Sequence, residues 1–302
     1  VGTANTYIGI FIIMFSVISS GMVAVMTQNI GAGRPGVAYQ ARQLGLAFNA
    51  VLGVIMSLFL SLGAGTILSG VGVADALMQP AKTYLQIVGG FCILNALIPI
   101  CSSYLRAFGF SKEPLYASII GNVINFCLNA FFLFVLHKGV AGVATATVIS
   151  RIINLVIVVL LGAVLVKAKQ HPERESNRAV MGQIIRIGLP SACETAIYNV
   201  SMTLVIRFLN QMDAQGLNVT ARSYTMQITN FSYCVGAALA QANAIMTGWH
   251  IGAKEYDACD RGTRKAAIIG VIVAVILETM FALCSGWIMQ LFSKDPQMVS
   301  LV

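Results

Sequence analysis

The sequence predicts an all-α integral membrane protein with eight transmembrane helices. Of its 302 residues, 57% are apolar and only 10% are charged, and the mean hydropathy is +0.81. Soluble globular domains, by contrast, carry about 25% charged residues. The second observation is that eight apolar stretches each exceed the roughly 20 residues that a helix needs to cross the hydrocarbon core of a bilayer.

The eight predicted spans account for most of the chain. Apolar residues surround every face of each stretch, so a soluble protein built on them would need eight over-long core helices and almost no polar surface. We therefore exclude that class. In chain order, the spans are residues 7–30, 44–68, 83–105, 115–136, 140–166, 187–209, 224–248 and 266–292.

The formal net charge of +8 is interpreted as a result of membrane topology, with the basic residues in the loops of one side. A nucleic-acid partner would need basic residues clustered on a soluble domain, and none is expected here. Alternate loops between the spans carry 13 and 4 of the 19 Lys and Arg residues. Because cytoplasmic loops are rich in Lys and Arg, we expect the first set to face the cytoplasm of a plasma or inner membrane. That set is Arg34, Arg42, Arg106, Lys112, Lys167, Lys169, Arg174, Arg178, Arg186, Lys254, Arg261, Arg264 and Lys265.

Motifs for catalysis or for a resident cofactor are not found in the sequence. Six of the seven cysteines lie in apolar stretches, so no disulfide framework is expected, and no Cys/His spacing suits zinc. The glycine-rich stretch 31–36 lacks the GK[ST] of a phosphate-binding loop and is interpreted as the turn that ends a helix. HExxH and GxSxG are also missing. The sequence therefore predicts a protein that is not an enzyme.

An internal repeat follows from two short matches in the same order. Residues 3–7 (TANTY) match residues 220–224 (TARSY) at a separation of 217, and residues 26–32 match 246–253 at 220 to 221. Each match lies at the same end of a span. Six spans separate the two copies, an even number, so the copies cross the membrane in the same direction and form a parallel repeat.

The repeat also predicts the domain organisation. The second copy has a span before its TARSY element that the first copy lacks, and the first copy continues for three spans beyond those of the second. We expect a complete protein of twelve helices in two lobes. Residues 1–166 would be the N-terminal lobe without its first helix, residues 167–186 a cytoplasmic linker, and residues 187–302 the first three helices of the C-terminal lobe.

Charged side chains inside a membrane cost roughly 2.5 to 3.5 kcal/mol on insertion scales and are therefore functional candidates. Four such residues lie within predicted spans: Glu194, Glu278, Arg151 and Arg207. Arg207 is near enough to a span end to reach the interface. Glu278 is a secondary candidate, because no polar stripe accompanies it.

Glu194 has hydroxyl groups on the same helical face. Ser191 and Tyr198 lie at i−3 and i+4. A carboxylate with hydroxyl neighbours in a low dielectric can bind a desolvated Na⁺ or hold a proton, and either would couple the protein to an ion gradient. The alternative is a structural carboxylate paired with Arg207 or with a residue of another helix.

Two stripes of amide side chains could line a cavity. Asn122, Asn125 and Asn129 recur on one face of the fourth span, and Gln227 and Asn230 on the seventh. Such side chains also form hydrogen bonds between packed helices, and this alternative stays open. Two prolines mark further positions: Pro99 should kink its helix, whereas Pro190 lies near a predicted helix start and is tolerated there.

The sequence resembles the multidrug and toxic compound extrusion (MATE) family. The matching stretches run in the same order over nearly the whole chain: Gln28 to Gly33, Leu105 to Gly109 with Lys112 and Pro114, Asn122 to Asn129, Gly139 to Ser150, and Ile187 to Pro190. The GVAGVATATVIS run from Gly139 to Ser150 is the most specific of them.

The resemblance implies a function and a site. It implies twelve helices in two six-helix lobes, with export of small organic, often cationic compounds or drugs in exchange for Na⁺ or H⁺. A carboxylate on the seventh helix helps bind the coupling ion in the family, and Glu194 is the matching residue. Where many members carry Asp at the end of an Asn-x-x-Leu-Asp element, this chain has Asn129 and supplies no carboxylate. A monomer in the lipid bilayer is expected.

Two other classes are weighed against this function. A lipid-linked oligosaccharide flippase of the same superfamily should carry several basic residues for a diphosphate in its cavity, whereas Arg151 is the only cation in the middle of a predicted span. A receptor or channel subunit would not predict the internal repeat. Both are therefore less favoured than a multidrug efflux transporter.

Overall fold

The computed structural model describes residues 2–70, 75–166, 173–212 and 217–292, and in these ranges every regular element is a helix. The predicted all-α membrane fold is confirmed. The chain forms two compact units, Val1–Cys193 and Glu194–Val302. We call them the first and second unit and describe each on its own.

Ten helices make up the described chain. The first unit contains α1 (Gly2–Gly31), α2 (Pro35–Leu62), α3 (Ala64–Gly70), α4 (Asp75–Tyr84), α5 (Ile93–Ala107), α6 (Lys112–Ala130) and α7 (Gly139–Leu165). Helix α8 (Asn177–Met212) runs from the first unit into the second, which also holds α9 (Leu217–Gly252) and α10 (Tyr256–Phe292).

The predicted spans coincide with these helices. Among the described residues, four segments are long and apolar enough to cross a membrane, and a bent pair of helices makes a fifth if the pair is counted as one span. They are Pro35–Leu62, Lys112–Val135, Gly139–Leu165, Tyr256–Cys284, and the pair Met78–Gly89 with Ile93–Ala107. The other three predicted spans lie on α1, α8 and α9, which have 30, 36 and 36 residues.

The third span bends before the proline that was expected to kink it. A π-helical turn, Leu85–Gly89, follows α4, and the chain bends by 42° before α5 begins at Ile93. Helix α5 continues through Pro99, and the expected kink at this proline stays a prediction. The backbone of α2 contacts the bend: a Cβ on Gly53 would lie 2.9 Å from Ile93 Cα, and Ser57 Oγ accepts a hydrogen bond from Ile93 N at 3.1 Å. These contacts stabilise the bend and satisfy an amide that the break releases.

Two apolar clusters hold the first unit together. The larger joins α1, α2, α5, α7 and the start of α8 around Met22, Met26 and Tyr104, all buried. The second surrounds the bend of the third span. Helices α1 and α8 approach so closely that a Cβ on Gly21 would lie 1.9 Å from the carbonyl oxygen of Ile184. Only glycine fits at this crossing.

Helix α8 begins earlier than its predicted span. Residues 167–172 of the predicted linker lie outside the described residues. The last ten residues of this linker, 177–186, form the beginning of α8. Pro190 therefore lies inside the helix and not near its start, contrary to our expectation. The boundaries of the two predicted lobes stay a prediction.

Gln40 on α2 holds the segment that precedes α8. Its side-chain amide donates to Glu175 O at 2.7 Å and to Asn177 Oδ1 at 2.5 Å, while its Oε1 accepts from Glu175 N at 3.0 Å. Gln40 is only 7% exposed, so water competes little for these bonds. An ion pair between Arg34 and the Glu175 carboxylate, 2.5 Å long, adds to the same contact.

We expect Gln40→Leu to loosen this segment. Leucine has a similar size but leaves two backbone groups and an amide oxygen without partners, at a cost of about 1–3 kcal/mol. Limited proteolysis of the full-length protein should then cleave near residues 167–176 faster than in the wild type. The control is Gln43→Leu, because exposed Gln43 bonds only to the Tyr39 hydroxyl. Equal cleavage of both variants would contradict the role of Gln40.

The turn between α1 and α2 has a copy between α9 and α10. Helices α1 and α9 end at Gly31 and Gly252, and the next helices begin at Pro35 and Tyr256, so both separations are 221. Three successive amides in each turn donate to carbonyls four, three and five residues back, at 2.8 to 3.1 Å. The second residue before each new helix has a positive φ, 72° at Gly33 and 62° at Lys254. The two turns therefore share one pattern of backbone hydrogen bonds at a separation of 221 residues, as the predicted repeat requires.

The orientation of this second turn can be tested with Cys259, a partly exposed free cysteine in the first turn of α10. If the loops rich in Lys and Arg are cytoplasmic, a membrane-impermeant maleimide should label Cys259 in inverted vesicles and not in intact cells. Cys259→Ser provides the background. Labelling of Cys259 from outside intact cells would overturn the orientation.

Candidate functional site

Glu194 lies on α8, where the second unit begins. Its side chain is exposed in this structure and makes no ion pair with any described residue. Tyr198, one turn further along, is 52% exposed, and Ser191 is exposed in the first unit. The side chain of Arg207, the alternative ion-pair partner, lies outside the described residues.

Carboxylates elsewhere do not join Glu194 within the described part of the chain. No group of three His, Cys, Asp or Glu side chains that could hold a metal ion occurs there.

Glu278 lies on α10 with its side chain exposed, and it forms no ion pair with a described residue. Long apolar side chains on the same helix are also exposed, Val275 and Ile276 among them. No hydroxyl or amide group of a described residue forms a hydrogen bond with the Glu278 carboxylate.

The asparagine stripe on α6 packs against α7. Asn129 Nδ2 donates to Asn125 Oδ1 at 3.0 Å, and Asn125 Nδ2 donates to Ser150 Oγ at 3.3 Å. The Ser150 hydroxyl donates in turn to the backbone oxygen of Thr147 at 2.9 Å. Asn122 is exposed and takes no part in this chain of hydrogen bonds. Of the three predicted asparagines, Asn125 therefore bonds directly to the neighbouring helix α7, and Asn129 bonds to Asn125 on its own helix.

The polar residues of α7 that face this asparagine stripe were not predicted from the sequence. Ser150 is 5% exposed, and the buried Oδ1 atoms of Asn154 and Asn129 accept no hydrogen bond from any described residue. Gly121 allows the close approach, because a Cβ there would lie 3.3 Å from Asn154 Cβ. Thr147, Ser150 and Asn154 recur on α7 at i, i+3 and i+7, which is the signal that could have identified this polar stripe.

The second predicted amide stripe is described only in part. The Gln227 side chain lies outside the described residues, whereas Asn230 is exposed on α9. Near it, Thr229 Oγ1 donates to the backbone oxygen of Thr225 at 3.1 Å.

The helices and polar groups together define a class of protein. Several apolar helices able to span a membrane are the feature of a polytopic membrane protein. The sequence matches the MatE family over residues 1–131 and 190–302. The chain belongs to this family, and the resemblance drawn from its motifs is confirmed.

Relatives and solved structures agree with this assignment. The chain is 29% identical to the uncharacterized transporter YisQ of Bacillus subtilis, over 99% of this chain and 67% of the relative. It is 25% identical to the probable multidrug resistance protein NorM of Streptococcus pneumoniae, over 94% of this chain and 64% of the relative. A solved structure of a multidrug resistance MATE family transporter in an outward-facing conformation has the same fold, with a TM-score of 0.86 at 18% identity. It covers 98% of this chain and 66% of its own, so the chain spans about two thirds of the proteins it matches.

Proposed function

We propose that the complete protein is a secondary active transporter that exports small organic, often cationic compounds by antiport with Na⁺ or H⁺. Membership of the MatE family carries this proposal. The relative named a probable multidrug resistance protein supports the class of substrate. The proposed location is the plasma or inner membrane, with the protein acting as a monomer of two six-helix lobes.

We assign the coupling ion to Glu194. Its carboxylate lies in an apolar predicted span and has no cationic partner among the described residues, so its charge is available to an ion. Tyr198 supplies a hydroxyl one turn away, and Ser191 supplies another at i−3. When Na⁺ or H⁺ binds, the negative charge is neutralised and the cost of holding it in the membrane falls. A cationic substrate competes for the same negative charge, which is the physical basis of antiport.

We place the amide side chains of α6 along the path of the substrate. Asn125 and Asn129 are held by hydrogen bonds to each other and to Ser150, while Asn122 is exposed. Fixed amide groups can accept hydrogen bonds from an organic amine without adding charge to the path. Asn230 on α9 would serve in the same way from the second unit.

The proposed activity is tested by efflux of a fluorescent organic cation from proteoliposomes that contain the full-length protein. A Na⁺ gradient and a pH gradient are imposed separately at zero membrane potential. Efflux that follows one of the gradients supports antiport and identifies the ion. Efflux that follows neither gradient, or requires ATP, would refute the proposal.

A further inference from the structure

An open apolar groove lies in the first unit between α2 and the beginning of α8. It has a volume of about 500 Å³, and every side chain that lines it is apolar. Leu44, Ala47 and Ile55 are on its α2 side, and Met181 is on its α8 side. The proposed transport function uses none of these residues.

The groove has the depth of one leaflet of a bilayer. Its α2 side runs from Leu44, where the second predicted span begins, to Ile55, which is eleven residues further along the helix. At a rise of 1.5 Å per residue this length is about 16 Å, close to half of the roughly 30 Å hydrocarbon core. An acyl chain of one leaflet can therefore lie along the whole groove.

Contacts of Gln40 define the polar end of the groove. The side-chain amide of Gln40 donates to Asn177 Oδ1 at 2.5 Å. Leu44 and Met181, each four residues further along its own helix, both line the groove. The two helices therefore enter the membrane at the same level, with Gln40 and Asn177 one turn nearer to water.

A positive charge remains at this polar end. Of the four charged residues that precede and begin α8, Glu173 and Arg174 cancel in formal charge, and Glu175 is ion-paired with Arg34. The fourth, Arg178, is exposed and forms no ion pair with a described residue. Its guanidinium group is therefore available to an anion.

Arg178 lies at the level where the headgroup of a lipid would be. It precedes Met181 by three residues, so the two side chains are neighbours on the surface of α8. The long apolar stem of arginine also lets the charged group reach the membrane interface. An apolar groove of leaflet depth thus has a cation at its polar end.

We propose that this groove binds one anionic phospholipid, with an acyl chain along α2 and the phosphate at Arg178. Arginine donates two parallel hydrogen bonds to a phosphate, which favours a negative headgroup. Lipid chains elsewhere in the bilayer are equally apolar, so the shape of the groove fixes the position of the lipid and Arg178 selects its charge. The site lies in the first unit and depends neither on Glu194 nor on the proposed efflux.

The headgroup preference is tested by native mass spectrometry of the full-length protein purified in detergent. Phosphatidylglycerol and phosphatidylcholine with identical chains are added in equal amounts, and the wild type should retain one phosphatidylglycerol in preference. Arg178→Gln should reduce this preference about fivefold, the effect of one basic residue near a membrane surface. Arg186→Gln is the matched control, because it removes another exposed charge of α8 that lies five residues beyond Met181 and on a different face.

The acyl chain is tested with Ala47→Trp. Ala47 is exposed in the groove, so the indole would occupy the space of the chain, and retention of both lipids should be lost. The control is Leu62→Trp, at the 83% exposed last residue of α2, which does not line the groove. The Tm of each variant checks folding. Arg178→Gln leaves the apolar surface unchanged and keeps the test decisive if Ala47→Trp does not fold.

Several results would overturn the proposal. They are equal retention of the two lipids by the wild type, an equal loss of preference in the Arg178 and Arg186 variants, and no loss of preference in Arg178→Gln. Undiminished phosphatidylglycerol retention by folded Ala47→Trp would also overturn it. A dimer that only Ala47→Trp disrupts would show that a second copy, and not a lipid, covers the groove. No transport is measured, so failure here is distinct from failure of the efflux proposal.

Discussion

Glu194→Gln is expected to abolish ion-driven efflux by the full-length protein while leaving it folded. Glutamine keeps the shape of the side chain and removes the charge, so the coupling ion loses its negative ligand. Folding should change little, because the substitution leaves no counter-charge stranded among the described residues. The measurement is gradient-driven efflux in proteoliposomes, with the Tm of the same preparation as the check on folding.

Glu278→Gln is the matched control for Glu194. It also removes a carboxylate from a predicted span, but no polar stripe accompanies Glu278 in the sequence, so efflux should remain near the wild-type rate. A further check follows from linkage. Bound substrate should weaken ion affinity at Glu194 by the same factor by which the ion weakens substrate affinity. Normal ion-driven efflux by Glu194→Gln would remove Glu194 from the mechanism.

Gly21→Ala is expected to be the most destabilising small substitution in the first unit. The added Cβ would lie 1.9 Å from the Ile184 carbonyl oxygen and 3.0 Å from Gly188 N, both backbone atoms that no rotamer change can move. Helices α1 and α8 must therefore separate, which loosens the larger apolar cluster. We expect a loss of about 3 kcal/mol, at the upper end for overpacking.

The control for Gly21 is Gly182→Ala on α8, where a Cβ would meet nothing within 4 Å. Alanine has the higher helix propensity, so this change should be neutral or stabilise the protein by up to about 1 kcal/mol. The measurement is the Tm of both full-length variants, together with the yield of monodisperse protein. A Gly21→Ala variant as stable as Gly182→Ala would show that α1 and α8 do not cross at this glycine.

Composition alone predicted the fold class because membrane helices must be apolar over their whole length. The beginning of α8 was missed because its first turns carry Arg178, Gln183 and Arg186, which end an apolar stretch without ending a helix. Its buried residues Val180 and Ile184 lie four apart and show the apolar stripe of an amphipathic start. A search for uniform hydrophobicity does not detect such a stripe.

The candidate site could be predicted only one helix at a time. The stripe of Asn125 and Asn129 is visible in the sequence because residues four apart share a helical face. Their partner Ser150 was not predicted, because which helix packs against α6 depends on the tertiary fold. The bend before α5 was also not predicted, since its π-helical turn and the contact with Gly53 leave no mark as plain as a proline.

The two copies of the helix-ending turn show that duplication can preserve a backbone while its electrostatics diverge. At equivalent places the first turn carries Arg34, paired with Glu175, and the second carries Glu255, paired with His250 at 2.8 Å. The main chain makes the same hydrogen bonds in both, so neither side chain is needed to shape the turn. Each copy is thus free to acquire its own partners, and the same backbone presents a cation at one turn and a carboxylate at the other without a change in fold.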